Sequence, residues 1–382
     1  MNNTEKMDYN PNILYPPIII QKKEKETNTT NEALEINDIR DPSDFKGMSF
    51  SNFKKSEVKK KLIDSMLSQK IEPSCYWSAE LICAGHFSEI WEIILYYTSK
   101  YIYIGNPKIA IYLEMRYNTF RNNMNQGIFL NELDARNSDK IRKLFAEIIC
   151  TLVLSEKKPA FEQIKIKTNE DFDMTQLSNK LKAPNTDYIQ GKLKQKDPKE
   201  LIIAMNELSY SLSQDCKNMA SACYWIEWTI EFEAICKKRK QLIKCETRDY
   251  KVENKCRSNI IWIIWDILFH YASLQNNKLI EKTMKSLINL FCIKFTDASP
   301  KKRRYLLYYA VSLITETVNT NVEILPNKVI LQNVTNKIDT IYTQIKKNEI
   351  APKTEYLFNG LDKKKAIEKS LKQMEIVNKI IG

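Results

Sequence analysis

The residues able to do chemistry are sparse in this sequence of 382 residues, and they are scattered. His86 and His270 are its two histidines. Neither has a second histidine at ligand spacing, and the nearest cysteines complete no zinc signature. The nine cysteines, at 75, 83, 150, 216, 223, 236, 245, 256 and 292, include no C-x-x-C pair. Several lie in apolar runs, where a thiol behaves as a small hydrophobe. Nothing in sequence brings one beside a histidine as a thiolate nucleophile requires. There is no G-x4-G-K-[ST] loop, no G-x-G-x-x-G and no G-x-S-x-G. With 7 glycines in the whole chain, a phosphate cradle has little to be built from. The acidic pair Asp171 and Asp173 sits in a polar stretch and reads as solvated charge. These patterns imply no cofactor, no metal and no reaction, and the expectation is a non-enzymatic protein.

The remaining chemistry is cationic. Formal net charge is +12 and the pI about 9.0, a balance that suits a polyanionic partner. Lysine outnumbers arginine, and Asn, Ile and Tyr are abundant, as A+T-rich coding also imposes. The charge gathers at Lys59-Lys60-Lys61, Lys237-Lys238-Arg239-Lys240, Lys301-Lys302-Arg303-Arg304 and Lys363-Lys364-Lys365. Lys237, Lys238, Arg239 and Lys240 follow an aromatic helix. Lys301, Lys302, Arg303 and Arg304 fall at a helix start, where cations oppose the local dipole unless an anion lies close. These eight are the candidate contacts to nucleic acid or to a protein partner.

The elements that carry them are helical. Few glycines, 12 prolines and long apolar-periodic runs rich in Leu, Ile, Lys and Glu predict an all-α chain. Residues 1–55 read as a disordered arm whose apolar cluster is Tyr15 to Ile20. A first helical unit follows at 56–161, a polar linker at 162–198, a second unit at 199–317 and a lysine-rich helical tail at 318–382. Within the first unit, Pro73 is expected to stop a helix and Ser74 to cap the next, which Gly85 ends. No signal-peptide core and no membrane-length apolar run is present. The odd cysteine count points to a reducing compartment.

An internal repeat organises this plan. Cys75-Tyr76-Trp77 returns as Cys223-Tyr224-Trp225, and the segment from Trp91 to Ser99 returns as Trp265 to Ser273. Leu67-Ser68-Gln69 and Leu212-Ser213-Gln214 precede the two triplets, and Arg142 and Arg303 open the helix that closes each half. The order predicts a tandem duplication with Tyr76, Trp77, Trp91, Tyr224, Trp225 and Trp265 in the core. Exposed rings would instead suit base stacking.

Tyr76-Trp77-Ser78-Ala79, Ala84-Gly85, Ile90 to Leu95 and Ile104-Gly105-Asn106-Pro107 follow one another in a known order. Together with the helix Ala146 to Lys157, this stretch resembles the C-terminal collar-like region of the clamp-loader-related family of replication-associated recombination proteins. The last turn is shorter than the family's. The resemblance covers about 80 residues and implies a helical fold and an assembly role. The family's ATPase lies in a separate N-terminal domain with no counterpart here. Overall composition, the lysine-rich tail and the Tyr-Trp helix are also similar to a protein shared among nucleocytoplasmic large DNA viruses. The resemblances imply an accessory or scaffold protein of viral DNA replication, repair or recombination, with DNA, viral replication proteins and a second copy of the chain as partners. Host cytoplasm or viral factory would be its setting. The alternative expectation is an internal or minor structural protein of the virus particle.

Overall fold

A computed structural model describes residues 34–125, 129, 131–325, 327–350 and 371–375, with Met174 described by its backbone alone. Regular structure among them is helical, apart from one isolated bridge between Met48 and Lys54. The chain divides into Met1–Glu35 and Ile36–Gly382, and the description below concerns the second. Its helices are α1 (Lys55–Leu67), α2 (Ile71–Cys83), α3 (Phe87–Tyr97), α4 (Ile109–Met124) and α5 (Asp139–Leu154). The short α6 (Thr168–Asp171) and α7 (Met174–Ser178) follow. Then come α8 (Ile202–Leu212), α9 (Met219–Lys238), α10 (Ile261–Ser273), α11 (Lys278–Phe291), α12 (Ser299–Lys302), α13 (Arg304–Thr315) and α14 (Lys328–Lys346).

Most boundaries follow local chemistry. Ser138, Asn218, Asn277 and Asn327 each accept a backbone N–H in the first turn of the helix they cap. Gly85 ends α2 with φ of +73°, and the N–H groups of Gly85 and His86 close back onto Ile82 and Leu81 at 3.0 and 2.9 Å. A side chain at Gly85 would also meet Leu133 at 3.0 Å. A helix does end before Pro73, α1 closing at Leu67, but Pro73 itself is not the residue that stops it. It occupies the first turn of α2, where a missing N–H leaves no bond unmade, and Ser74 lies inside the helix with its hydroxyl donating to Lys70 O at 2.6 Å.

Two five-helix sets share one pattern of neighbours. In the first, α1, α3 and α5 pack on α2, α1 also touches α3 and α5, and α4 lies on α5. In the second, α8, α10 and α13 pack on α9, α8 also touches α10 and α13, and α11 lies on α13. In the second set α10 also touches α11 and α13. The repeated aromatics keep their geometry: Tyr76 meets Trp77 edge-on at 5.2 Å, and Tyr224 meets Trp225 edge-on at 5.1 Å. Trp91 packs on Phe120 of α4 at 5.8 Å, and Trp265 on Phe291 of α11 at 5.3 Å.

The sets are not independent bodies. Helix α4 lies along α11, and a π-helical turn at Thr98–Ile102 carries the chain from α3 onto α13. Tyr103 follows with φ of +50°, a conformation that a bulky side chain adopts only under constraint. Its hydroxyl supplies that constraint by bonding Ser312 and donating to Tyr308 O at 3.3 Å inside α13. Gly105 lets the backbone pass close by, since a Cβ there would stand 2.9 Å from Glu156 O.

Two parts of the expected domain plan are corrected, and the expected tail helix gains a docking partner. Residues 36–55 are not an arm: Ile36, Phe45 and Phe50 are buried, and the Arg40 guanidinium lies 4.7 Å from both the Phe45 and Phe50 rings. Residues 162–198 are not a free linker. Asp171 is buried there and accepts from Tyr224 Oη at 2.9 Å, while Glu207 of α8 accepts the N–H groups of Lys182 and Ala183 at 2.9 and 3.0 Å. Within the expected tail, α14 docks on α2 and α5, its Asp339 paired with Arg142 at 3.3 Å and its Tyr342 ring 4.3 Å from that guanidinium. Polar side chains from distant parts of the chain share in the anchoring each time, and apolar periodicity does not register those contacts. Tyr15 to Ile20, Lys363 to Lys365 and most of the expected last helix lie outside the described residues.

Of the six expected core aromatics, Trp91, Trp225 and Trp265 are 3, 1 and 0 % exposed. Tyr76, Trp77 and Tyr224 are half-buried at the edge of the core. Eight of the nine cysteines are buried as free thiols, and Cys216 is half-exposed. Burial pushes the Cys75, Cys245 and Cys292 thiols up to about 12.

Trp91→Ala should cost about 3–5 kcal/mol in urea unfolding, as a fully buried ring replaced by a cavity, and Trp77→Ala clearly less. Acid should act through Asp197. Burial alone would raise its carboxyl, but hydrogen bonds from Arg248 (2.6 Å) and from the Lys194 and Glu246 N–H groups hold it below 3.8. That stabilisation is complete above the ordinary carboxylate value and is lost as pH falls through the lowered one. Asp197→Asn should therefore be less stable at neutral pH and lose less of its remaining stability between about pH 4 and pH 2, followed by circular dichroism.

Candidate nucleic-acid interface

Helix α9 brings the first basic cluster to the surface. Its last turn holds Lys237 and Lys238, Arg239 closes it, and Lys240 takes φ of +58° to leave the helix axis. Cations at this end complement the helix dipole, so the cluster is stable where it stands. All four residues are exposed. Lys237 is engaged, at 3.1 Å from Glu233 and 3.3 Å from Asp297. Burial works against its charge, but these two carboxylates raise the ammonium above its usual value. Lys238, Arg239 and Lys240 have no ion-pair partner among the described residues.

The second cluster is turned differently. The expected unfavourable placement at a helix start is real, because α13 begins at Arg304 with Arg303 as its cap. The anion it calls for is supplied by the protein's own carboxylates. Arg303 is 4 % exposed; it pairs with Glu92 of α3 and donates to Phe291 O at 2.6 Å. Arg304 reaches Glu227 of α9 at 2.9 Å, and Lys301 reaches Glu231 at 2.9 Å. Glu227 also accepts from Tyr308 Oη at 2.9 Å. Burial raises its carboxyl, against the lowering effect of Arg304 and Tyr308. Arg303 is thus withdrawn as a candidate contact: its guanidinium is buried, with all three nitrogens bonded to Glu92 or Phe291 O, out of reach of an external phosphate. Lys302 alone in this cluster is exposed without an ion pair among the described residues.

The two runs meet across α9, where Lys301 and Glu231, and Lys237 and Asp297, link its exposed side to the α12 region. Three open depressions flank the helix there. One, of about 320 Å³, gathers Lys165, Lys301 and Arg304 around Glu227 and Glu231. A second, of about 400 Å³, sets Lys237, Lys244 and Lys255 against Glu233, Glu253 and Asp297. The third, of about 790 Å³, is lined by Phe172, Phe232, Ile235, Leu242 and Arg239, with Glu200 as its one carboxylate.

Phe172, Phe232 and Leu242 were not singled out in the sequence. A signal was present: Trp228, Phe232, Ile235 and Arg239 recur at helical spacing on one face that runs into the basic cluster. Phe172 carried no such signal, because it lies in a segment without periodicity. The histidines stand apart from this surface. His86 Nε2 is 2.6 Å from Met48 O, and His270 is exposed near Lys192, burial and that cation both lowering its imidazole. Among the described residues no group of His, Cys, Asp and Glu is arranged to hold a metal, and no helix is long and apolar enough to cross a membrane.

No protein-family profile, curated protein or solved structure matches the chain.

Arg303→Met should lower stability by about 2–4 kcal/mol, because it leaves Glu92 and a buried carbonyl without their donor. Lys302→Ala should stay within about 0.5 kcal/mol of the parent. Thermal and urea unfolding of the two variants side by side would show whether adjacent cations serve these opposite ends.

Proposed function

We propose that this chain is a non-enzymatic helical scaffold that assembles through its paired five-helix sets and engages a polyanion through the basic end of α9. DNA handled during replication, repair or recombination of a large DNA virus is the polyanion proposed, with viral replication proteins as co-partners. The carrying observation is the outward run Lys238, Arg239 and Lys240, exposed and without an ion-pair partner among the described residues, whereas Lys301, Arg303 and Arg304 are each paired with a carboxylate. Cations kept solvated and unpaired at one place are available to displace counterions from a phosphate backbone. Support for the scaffold part comes from the common neighbour pattern of the two sets, which is what a duplicated assembly unit retains.

Binding that runs through phosphates weakens steeply with salt. In fluorescence anisotropy at low salt, the chain should bind labelled DNA, and raising salt from about 50 to 200 mM should lower affinity by at least tenfold. The triple variant Lys238→Ala, Arg239→Ala, Lys240→Ala should bind more weakly and with a salt slope shallower by about 0.7–0.9 for each phosphate it no longer neutralises. Absence of binding by the parent chain at low salt would remove the nucleic-acid reading.

A further inference from the structure

The groove beside the basic end of α9 contains more than charge. Phe172, Trp228 and Phe232 stand with ring centroids 4.8, 5.1 and 6.2 Å apart and with planes within 28° of parallel. Trp228 is the buried member, anchored by its indole N–H donating to Asp171 O at 2.8 Å. Phe172 and Phe232 are half-buried and line the groove. Leu242, which lines the same groove, is 78 % exposed. Arg239 lines the groove as well, and Lys238 and Lys240 adjoin it in the chain, against the single carboxylate Glu200.

We infer that this groove takes the bases of single-stranded nucleic acid, stacked against Phe172 and Phe232, while Arg239, Lys238 and Lys240 hold the flanking phosphates. The inference rests on the polyanion reading above and narrows it to one class. Aromatic faces beside cations fit a strand whose bases are free on both sides. A duplex offers only phosphates to such a surface, because its bases must first be unstacked to reach a ring. An acidic polypeptide would satisfy the cations and leave the aligned rings without a planar partner. The supporting frame is rigid. The Asp171 carboxylate accepts from Tyr224 Oη at 2.9 Å and its carbonyl from the Trp228 indole N–H at 2.8 Å, so the segment carrying Phe172 is fixed to α9 at two points.

The test uses the full chain and four probes at low salt: an oligothymidine strand, an abasic strand of equal length, a duplex and polyglutamate. The parent should bind oligothymidine at least about 5- to 150-fold more tightly than the abasic strand, the range of one stacked base. Phe232→Ala should remove most of that preference and leave duplex affinity within about twofold, and Phe232→Tyr should restore it. Arg239→Ala should weaken every nucleic-acid probe alike. Equal affinity of the parent for abasic and base-bearing strands would overturn the stacking inference whether or not Phe232→Ala folds, and would leave the phosphate reading intact. Polyglutamate competing as well as oligothymidine would reassign the groove to an acidic polypeptide. Failure of all nucleic-acid probes would instead defeat the parent reading.

Discussion

A guanidinium that must be buried organises the centre of this protein. Arg303 sits where α3, α11 and α13 converge, and each supplies part of its environment: a carboxylate from Glu92, a carbonyl from Phe291 and the start of a helix. Removing such a charge from water is tolerable only with compensation on every side, so the three helices are held to a single arrangement. Arg248 imposes the same requirement elsewhere, between Asp197 and Asp266 of α10, and Arg142 between α5 and α14. Apolar packing makes the core, but these arginines determine which helices share it.

The same constraint bears on function. A sequence with net charge +12 looks basic throughout, yet its most conspicuous cationic runs divide into an inward and an outward part. Adjacent in the chain, Lys302 and Arg303 differ as fully as two residues can: one extends into solvent, the other closes a helix junction. Of these two runs, the one at the end of α9 keeps three adjacent cations exposed and unpaired among the described residues. Its position next to a set of aligned rings gives that end a second kind of chemistry.

Legibility in the sequence followed the range of the interaction. Helices with strong apolar periodicity were readable, as was the glycine that ends α2, whereas the cap expected at Ser74 lies inside α2 and the asparagine and serine caps of α5, α9, α11 and α14 were not singled out. The all-α class followed from the same local signals. What escaped was set by distant partners. Residues 36–55 look too polar to fold alone, and are held by Arg40 between two phenylalanines and by bonds to the backbone just beyond α14. The polar stretch 162–198 is stapled by carboxylates of α8 and by aromatics of α9. At the candidate site, the run from Lys237 to Lys240 was plain. Glu92, more than 200 residues from Arg303 in sequence, was not, and it is what turns that arginine inward.

The thiols offer a consequence of a different sort. With eight of them sealed in α2, α5, α9, the end of α11 and the loops before α10, and Cys216 alone half-exposed, the folded chain presents one ready site for a maleimide dye. Each remaining thiol reacts only when its own surroundings open. The rate at which every cysteine becomes modified, read peptide by peptide, is therefore a map of local breathing already built into the natural sequence. It spans both five-helix sets and the ground between them, so the order in which they loosen can be followed without introducing a single foreign residue.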